Sequence, residues 1–402
     1  VTSAFTVPEH VPENLVRDFD HIADPEFLAD PFTSLLSLRG DDRAFFSPHS
    51  EGFWVLTRGA DIREAYQRPD LFSNNPGGLP AKPTEYPLIP EELDPPEHTK
   101  YRRAIAGMFS PREVAEMEDD IRDIARQLLE TAKPLGSGDF CQLYAVPLPT
   151  QFFVNRLGLP VEETKQFVSW NNDMMRHTDD PIADRAASMK AYQQVNERLT
   201  ALVADRKAQP REDWVSRLLE TRIDGEPMSD SDVLAVTFLL FMAGLETVAT
   251  AMTWSFNFLA RNDEYRHQLA EDSSYSETAA EELLRYFSFT NDARTVTKDI
   301  DFAGVHMRKG DRVLLCNSLV SRDPEENERP DEVDFDRTVS RNAVFGMGAH
   351  RCLGSHLARL ELKIALEEWH AAIPEYHVTP GTDLRIHGAG IMGIEKLPLS
   401  WP

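Results

Sequence analysis

Residues 345–369 read FGMGAHRCLGSHLARLELKIALEEW. Phe345, Gly346 and Gly348 lead through a compact turn to His350, Arg351 and Cys352, and Gly354 follows at once. Leu353, Leu357, Leu360 and Ile364 then recur at helical spacing, so a helix with one apolar face runs on to about residue 370. Cys352 is expected just before that helix or within its first turn. There the unpaired amides, the helix dipole and positive neighbours favour a thiolate over a thiol. The glycines allow close approach of backbone and a bulky ligand. Taken alone, a single cysteine is weak evidence and more often an inert buried thiol.

A second stretch, DVLAVTFLLFMAGLETVATAMTWSFNFLA, spans residues 232–260 and is apolar on nearly every face. A water-soluble protein holds such a helix only by burying it through the core. Ser229 or Ser231 is placed to cap it. Glu246 and Thr247 interrupt its centre and need partners or water. Gly244 would let a ligand approach the backbone. AGLET therefore marks a reaction chamber, or else a helix end or an internally paired polar defect.

Around these two segments the pattern is mostly helical. VAEMEDDIRDIARQLLETA and ADRAASMKAYQQVNERLTALVADRKAQ carry apolar residues at helical spacing, as does SETAAEELLRYF. In the last of these Glu282 and Arg285 stand three residues apart; alone, that is an ordinary surface pair. ARTVTKDIDFAGVHMRKGDRVLLC and TPGTDLRIHGAGIMGIEKLPLSW read as strands and turns, as does Phe53–Leu56 before a helix after Gly59. The Pro- and Gly-rich stretch NNPGGLPAKPTEYPLIPEELDPPEH is irregular, and long loops of this kind often build binding sites. The fold class is mainly α with a smaller β region, in one domain over residues 1–402.

Composition narrows the function classes. The 67 acidic residues exceed the 42 basic ones, for a formal net charge of -25, which disfavours nucleic acid and anionic membranes as partners. Three scattered cysteines, Cys141, Cys316 and Cys352, form neither a disulfide framework nor a zinc or iron-sulfur spacing. The N-terminal residues show no secretory signal. A cytoplasmic, monomeric enzyme without membrane attachment is expected.

FGMGAHRCLG closely resembles the haem-binding signature of the cytochrome P-450 family. Three further segments fall in that family's order: DPPEHTKYRR, AGLET and EELLR. The resemblance runs from about Asp20 to Trp401. It implies the cytochrome P-450 fold, with haem b between the long central helix and the cysteine-ligand loop. Cys352 would be the axial iron ligand, a thiolate whose electron donation assists O–O cleavage. His98, Arg102, Arg294 and His350 would hold the haem propionates. Glu282 and Arg285 would form a buried structural pair, joined by Arg341 or a nearby residue. Thr247 would organise water beside bound oxygen, and Glu246 would gate or relay protons.

The wording is most similar to the camphor-hydroxylating branch. Tyr86 falls at the place of that branch's substrate-binding tyrosine, and Leu239, Met242, Thr290, Ile391 and Met392 would line the substrate pocket. GGLPAKPTE and the bulky Met242 depart from that branch, so camphor itself is not implied. The resemblance implies insertion of one oxygen atom of O2 into a small or medium hydrophobic substrate, such as a terpenoid or a cyclic ketone or ether. Electrons would come from NAD(P)H through a [2Fe-2S] ferredoxin and its reductase, docking on a basic face of Lys100, Arg102, Arg103 and Arg351. A peroxide-driven peroxygenase would need no such partners, and a haem carrier or sensor would bind without turnover.

Overall fold

The computed structural model describes residues 6–80, 88–175, 181–338 and 340–402. The N-terminal part contains α1 (Pro25–Ala29), α2 (Pro31–Ser37), β1 (Ala44–Ser47), β2 (Phe53–Leu56), α3 (Gly59–Gln67) and β3 (Phe72–Ser73). The helical part follows with α4 (Glu97–Ile105), α5 (Pro111–Ala115), α6 (Glu118–Ala132), the short β4 (Ser137–Asp139), α7 (Pro147–Arg156), α8 (Thr164–Met175), α9 (Pro181–Ala208) and α10 (Trp214–Glu220). A hairpin of β5 (Arg222–Ile223) and β6 (Glu226–Pro227) leads into α11 (Asp230–Leu259), α12 (Asp263–Glu271) and α13 (Ser276–Tyr286). Then come β7 (Asn291–Val296), β8 (Ile300–Phe302), β9 (Val305–Met307), β10 (Arg312–Cys316), α14 (Asn317–Ser321) and α15 (Ser355–Ala372). Four short strands close the chain: β11 (His377–Val378), β12 (Ile386–His387), β13 (Gly393–Ile394) and β14 (Pro398–Ser400).

α11 is the axis of the molecule. Its 30 residues rise about 45 Å at 1.5 Å each. It is long and apolar enough to cross a membrane, yet 67% of its most apolar window is buried inside the protein. Ser229, not Ser231, caps it by accepting the Asp232 amide at 3.1 Å. Buried hydroxyls are satisfied within the helix at Thr237 and Ser255, each of which donates to the carbonyl four residues back at 2.7 Å. α7, α9, α13 and α15 pack around it. Phe256, Phe140, Tyr144 and Trp369 join α11 to α15 through an aromatic cluster with ring centroids 4.4–5.5 Å apart.

The main sheet has the order β1-β2-β10-β7-β3. β10 runs parallel to β2 and antiparallel to β7, pairing Val313 with Trp54 on one side and Arg294 on the other. Side chains alternate along a strand, so Asp292 and Arg294 leave β7 on one face.

Glu282 and Arg285 are 2% and 0% exposed. Arg285 grips the Glu282 carboxylate with two hydrogen bonds of 2.8 Å and also donates to the carbonyls of Ser321, Pro330 and Glu332. The third member is Arg337, at 3.0 Å from both Glu282 oxygens, and not Arg341, whose guanidinium meets Glu326 at 3.4 Å. The Asn327 amide group fastens the backbone at Arg341 and so takes the Arg341 side chain away from Glu282.

Candidate active site

A cavity of about 310 Å³ lies between α11 and the Cys352 loop with the start of α15. Val236, Leu239, Leu240, Ala243, Thr247 and Ala251 form its α11 wall, and Cys352, Leu353, Leu357 and Ala358 lie opposite. Positive φ at Gly346 (63°) and Gly348 (68°) turns the loop, and a side chain at Gly348 would collide with the Tyr66 carbonyl. The Cys352 amide donates to the Phe345 carbonyl at 2.7 Å, which closes the loop. Cys352 precedes the first residue of α15, Ser355, by three positions.

Cys352 is open to the cavity but enclosed by protein beyond it. Burial raises its thiol above the ordinary value, outweighing the Gly354 amide, Arg102 and Arg351, which favour the thiolate. The amide and the two guanidinium groups act in the direction expected from the sequence, and a cation bound at the sulfur would add to them against the cost of burial. Among the described residues no cluster of three His, Cys, Asp or Glu could hold a bare metal ion.

The cavity's edge is an anion cradle. The His98 and His350 rings lie 4.1 Å apart, and all four of their ring nitrogens are buried without a hydrogen-bond partner. Burial, then His98, Arg294 and Arg102, push His350 down to about 3. Arg102 donates to the Arg351 carbonyl, and Arg294 lies 4.9 Å above the Tyr66 ring and donates to the Ala293 carbonyl. Neither guanidinium meets a carboxylate ion pair there among the described residues. Unpartnered donors beside two guanidinium groups fit the two carboxylates of a haem, and the cavity places Cys352 on the face opposite Thr247.

The substrate residues separate. Leu239 and Thr290 line the cavity. The Thr290 hydroxyl donates to the Val344 carbonyl at 2.9 Å and accepts from Asn317 at 2.8 Å. Met242 and Ile391 pack against the core without lining the cavity, although Ile391 bridges Thr290. Met392 is fully buried, its carbonyl accepting the Trp254 indole N–H at 2.7 Å. Tyr86 lies outside the described residues. Gly244 does not serve ligand approach alone: its missing Cβ leaves the space filled by the Phe153 ring of α7.

Thr247 Oγ1 donates to the Ala243 carbonyl at 2.9 Å and faces the cavity. Glu246 points the other way, to His387 at 3.1 Å. On the basic face, Lys100 is engaged by Glu97 and Asp224 at 3.0 and 3.3 Å, and Arg102 turns to the cavity. Arg103 and Arg351 remain exposed and without an ion pair among the described residues.

Sequence reasoning missed several cavity residues. Glu91 is a carboxyl facing Asp292, raised above its usual value by burial and by that neighbour, and held by Asn74 at 3.1 Å. Asp292 itself accepts from the Tyr66 hydroxyl. Glu361 is fully buried, both oxygens unpartnered, and desolvation lifts it to about 8. Its signal was present: it sits four residues after Leu357 and three before Ile364, on the apolar face of α15.

The profile of the cytochrome P450 family matches residues 161–369. A protein of Sinorhizobium fredii named probable cytochrome P450 127A1 is 32% identical over 406 residues, covering 98% of this chain and 97% of that one. The vitamin D(3) 25-hydroxylase of Pseudonocardia autotrophica is 30% identical, covering 93% and 94%. The crystal structure of CYP101J2 superposes with a TM-score of 0.90 over 99% of both chains at 29% identity. With that identity over nearly the whole length, and with this fold, the chain belongs to the cytochrome P450 family.

Proposed function

We propose that this cytochrome P450 hydroxylates a terpenoid or a cyclic ketone or ether of small or medium size, with Cys352 as its iron ligand and electrons from a [2Fe-2S] ferredoxin and its reductase. The observation carrying the reading is one cavity that opposes Cys352 to Thr247 and has at its edge two guanidinium groups beside unpartnered histidine rings. The family's cofactor is haem b held by a cysteine thiolate and supplied with electrons by external donors. When bound, it activates O2 with two electrons and transfers one oxygen atom to a C–H bond, the other leaving as water.

The chain supplies the surroundings for that chemistry. Cys352 Sγ holds the group, and the Gly354 amide tempers the sulfur's charge. Arg102, Arg294, His98 and His350 hold its carboxylates with charge-assisted bonds. Val236, Leu239, Leu240 and Phe289 would hold an apolar substrate in the cavity and exclude water. Thr247 both donates and accepts a hydrogen bond, so it holds a proton donor in position. Glu246 carries protons toward it from the far side of α11. Tyr86 orients an oxygen atom of the substrate. Arg103 and Arg351 steer an acidic ferredoxin, so its association weakens with salt. The reading includes a monomer acting in the cytoplasm as one domain over residues 1–402.

The test is a spectral titration of the ferric holoenzyme with terpenoids, cyclic ketones, ethers, matched hydrocarbons and steroids. A saturable low-spin to high-spin shift with oxygenated terpenoids, followed by hydroxylated product, is expected. A preference for steroids or fatty acids would overturn the substrate assignment.

A further inference from the structure

α11 separates two cavities. Thr247 lines the one shared with Cys352, whereas Glu246, the next residue, lines a second of about 430 Å³ on the other side of the helix. That second cavity is polar at many points: Asn171, Asn172 and Asp173 of α8 face Thr250 and Thr253 of α11 and the β12–β13 hairpin. There His387 Nε2 meets Glu246 Oε1 at 3.1 Å, with both side chains mostly buried. The ring lies where Gly393 has no side chain; a Cβ there would stand 2.5 Å from His387 Cε1.

The other charged groups around the pair do not compete for Glu246. Arg385 is bound to Glu395 at 2.9 Å across the hairpin. Asp173 faces the same cavity from α8, and Cys141 contributes a thiol that burial keeps neutral by raising it far above its usual value. α1, packed on β12, carries one ionisable side chain, the exposed Glu26. Among the described residues His387 is therefore the one side chain that pairs with Glu246.

We infer that His387 loads Glu246 with the protons that reach the reaction cavity, and that it positions the carboxyl on the outer side of α11 between deliveries. The inference rests on the proton-carrying role proposed above for Glu246 and Thr247. Imidazolium Nε2–H passes its proton to Glu246 Oε1, leaving neutral imidazole and a neutral carboxylic acid. The attraction between the two charges is gone, so the acid is free to rotate toward the Thr247 side. There it gives up the proton and returns as carboxylate. Water in the second cavity restores the proton to His387, and each cycle moves one proton with no net change in either residue. Histidine suits this task because its charge changes near neutral pH, which neither Lys nor Arg permits.

The test uses the holoenzyme with its redox partners and compares His387→Asn, His387→Gln and Glu246→Gln. The readouts are product formed per reductant consumed, its pH profile, and the 15N resonances of the histidine ring. In the wild type this ratio should fall as pH rises. Both His387 variants should lower the ratio about tenfold or more and lose that pH dependence. The His387 ring resonance should move in Glu246→Gln. If Glu246→Gln uncouples the enzyme while both His387 variants keep the wild-type ratio and pH profile, the role of His387 is overturned and that of Glu246 survives. If Glu246→Gln remains fully coupled, the underlying relay is wrong and the inference falls with it. Loss of bound haem in both His387 variants would assign the pair a structural role and overturn the inference.

Discussion

Replacing Arg285 by alanine should be the most damaging single change away from the cavity. The guanidinium is wholly buried and makes five hydrogen bonds, two to Glu282 and three to the carbonyls of Ser321, Pro330 and Glu332. Removing one partner of a buried pair costs about 3–5 kcal/mol, and a carbonyl left without a donor adds about 1 kcal/mol or more unless water enters. Arg337 at 3.0 Å and the Asp334 amide still hold Glu282, which moderates the penalty. The sum is about 4–6 kcal/mol, a large part of the 5–15 kcal/mol typical of a folded protein. Arg337→Ala leaves the two Arg285 bonds to Glu282 intact and should cost about 1–3 kcal/mol. Urea unfolding at pH 7, followed by tryptophan fluorescence and haem absorbance, measures both. Exchanging the charges, with Glu at 285 and Arg at 282, should not restore stability, because the three carbonyls need a donor at position 285. An Arg285→Ala variant within about 1 kcal/mol of the wild type, or one more stable than Arg337→Ala, would refute this reasoning.

Three further outcomes follow from the cavity. Arg294→Ala and His350→Ala should each weaken haem retention about 10–100-fold, measured by transfer to an excess haem acceptor, since a hydrogen bond to a charged group contributes about 1.5–3 kcal/mol. Thr247→Ala should divert electrons to peroxide, with reductant consumption maintained and product reduced; full coupling in that variant would remove Thr247 from the proposed role. Glu361, lifted to about 8 by burial, holds a proton in the folded state that the unfolded chain releases near its ordinary value of about 4.3. Its contribution to stability is therefore lost as pH rises through about 8. Glu361→Gln should raise the melting temperature relative to wild type at pH 8.5 and change it little at pH 4, as read by thermal melts of the two proteins.

The elements that carry strong periodicity were legible. The central helix, expected over 232–260, runs Asp230–Leu259, and the strand Phe53–Leu56 and the helix after Gly59 fall where the apolar pattern placed them. The loop before α15 was readable as a compact turn because Gly346 and Gly348 permit the positive φ they adopt. What the sequence hid is what tertiary partners decide. Glu282 and Arg285 look like a surface pair by spacing, and only the meander some 36–55 residues onward buries them. Arg337 rather than Arg341 completes the triad because Asn327 pins the backbone at 341. Leu239 and Met242 are one turn apart on α11, yet one lines the cavity and the other packs, half-buried, against the core. The partner of Glu246 stands 141 residues away, on a two-residue strand with no local pattern to announce it.

The claim that Cys352 holds a haem as its thiolate is tested most directly by the absorption spectrum of the reduced, carbon monoxide-treated holoprotein and its Cys352→His variant. The account predicts the strongly red-shifted Soret band of a thiolate-bound carbonyl complex in the wild type, and its replacement by an imidazole-type band in the variant. A wild-type spectrum of the imidazole type, or a red-shifted band that persists without Cys352, would contradict it.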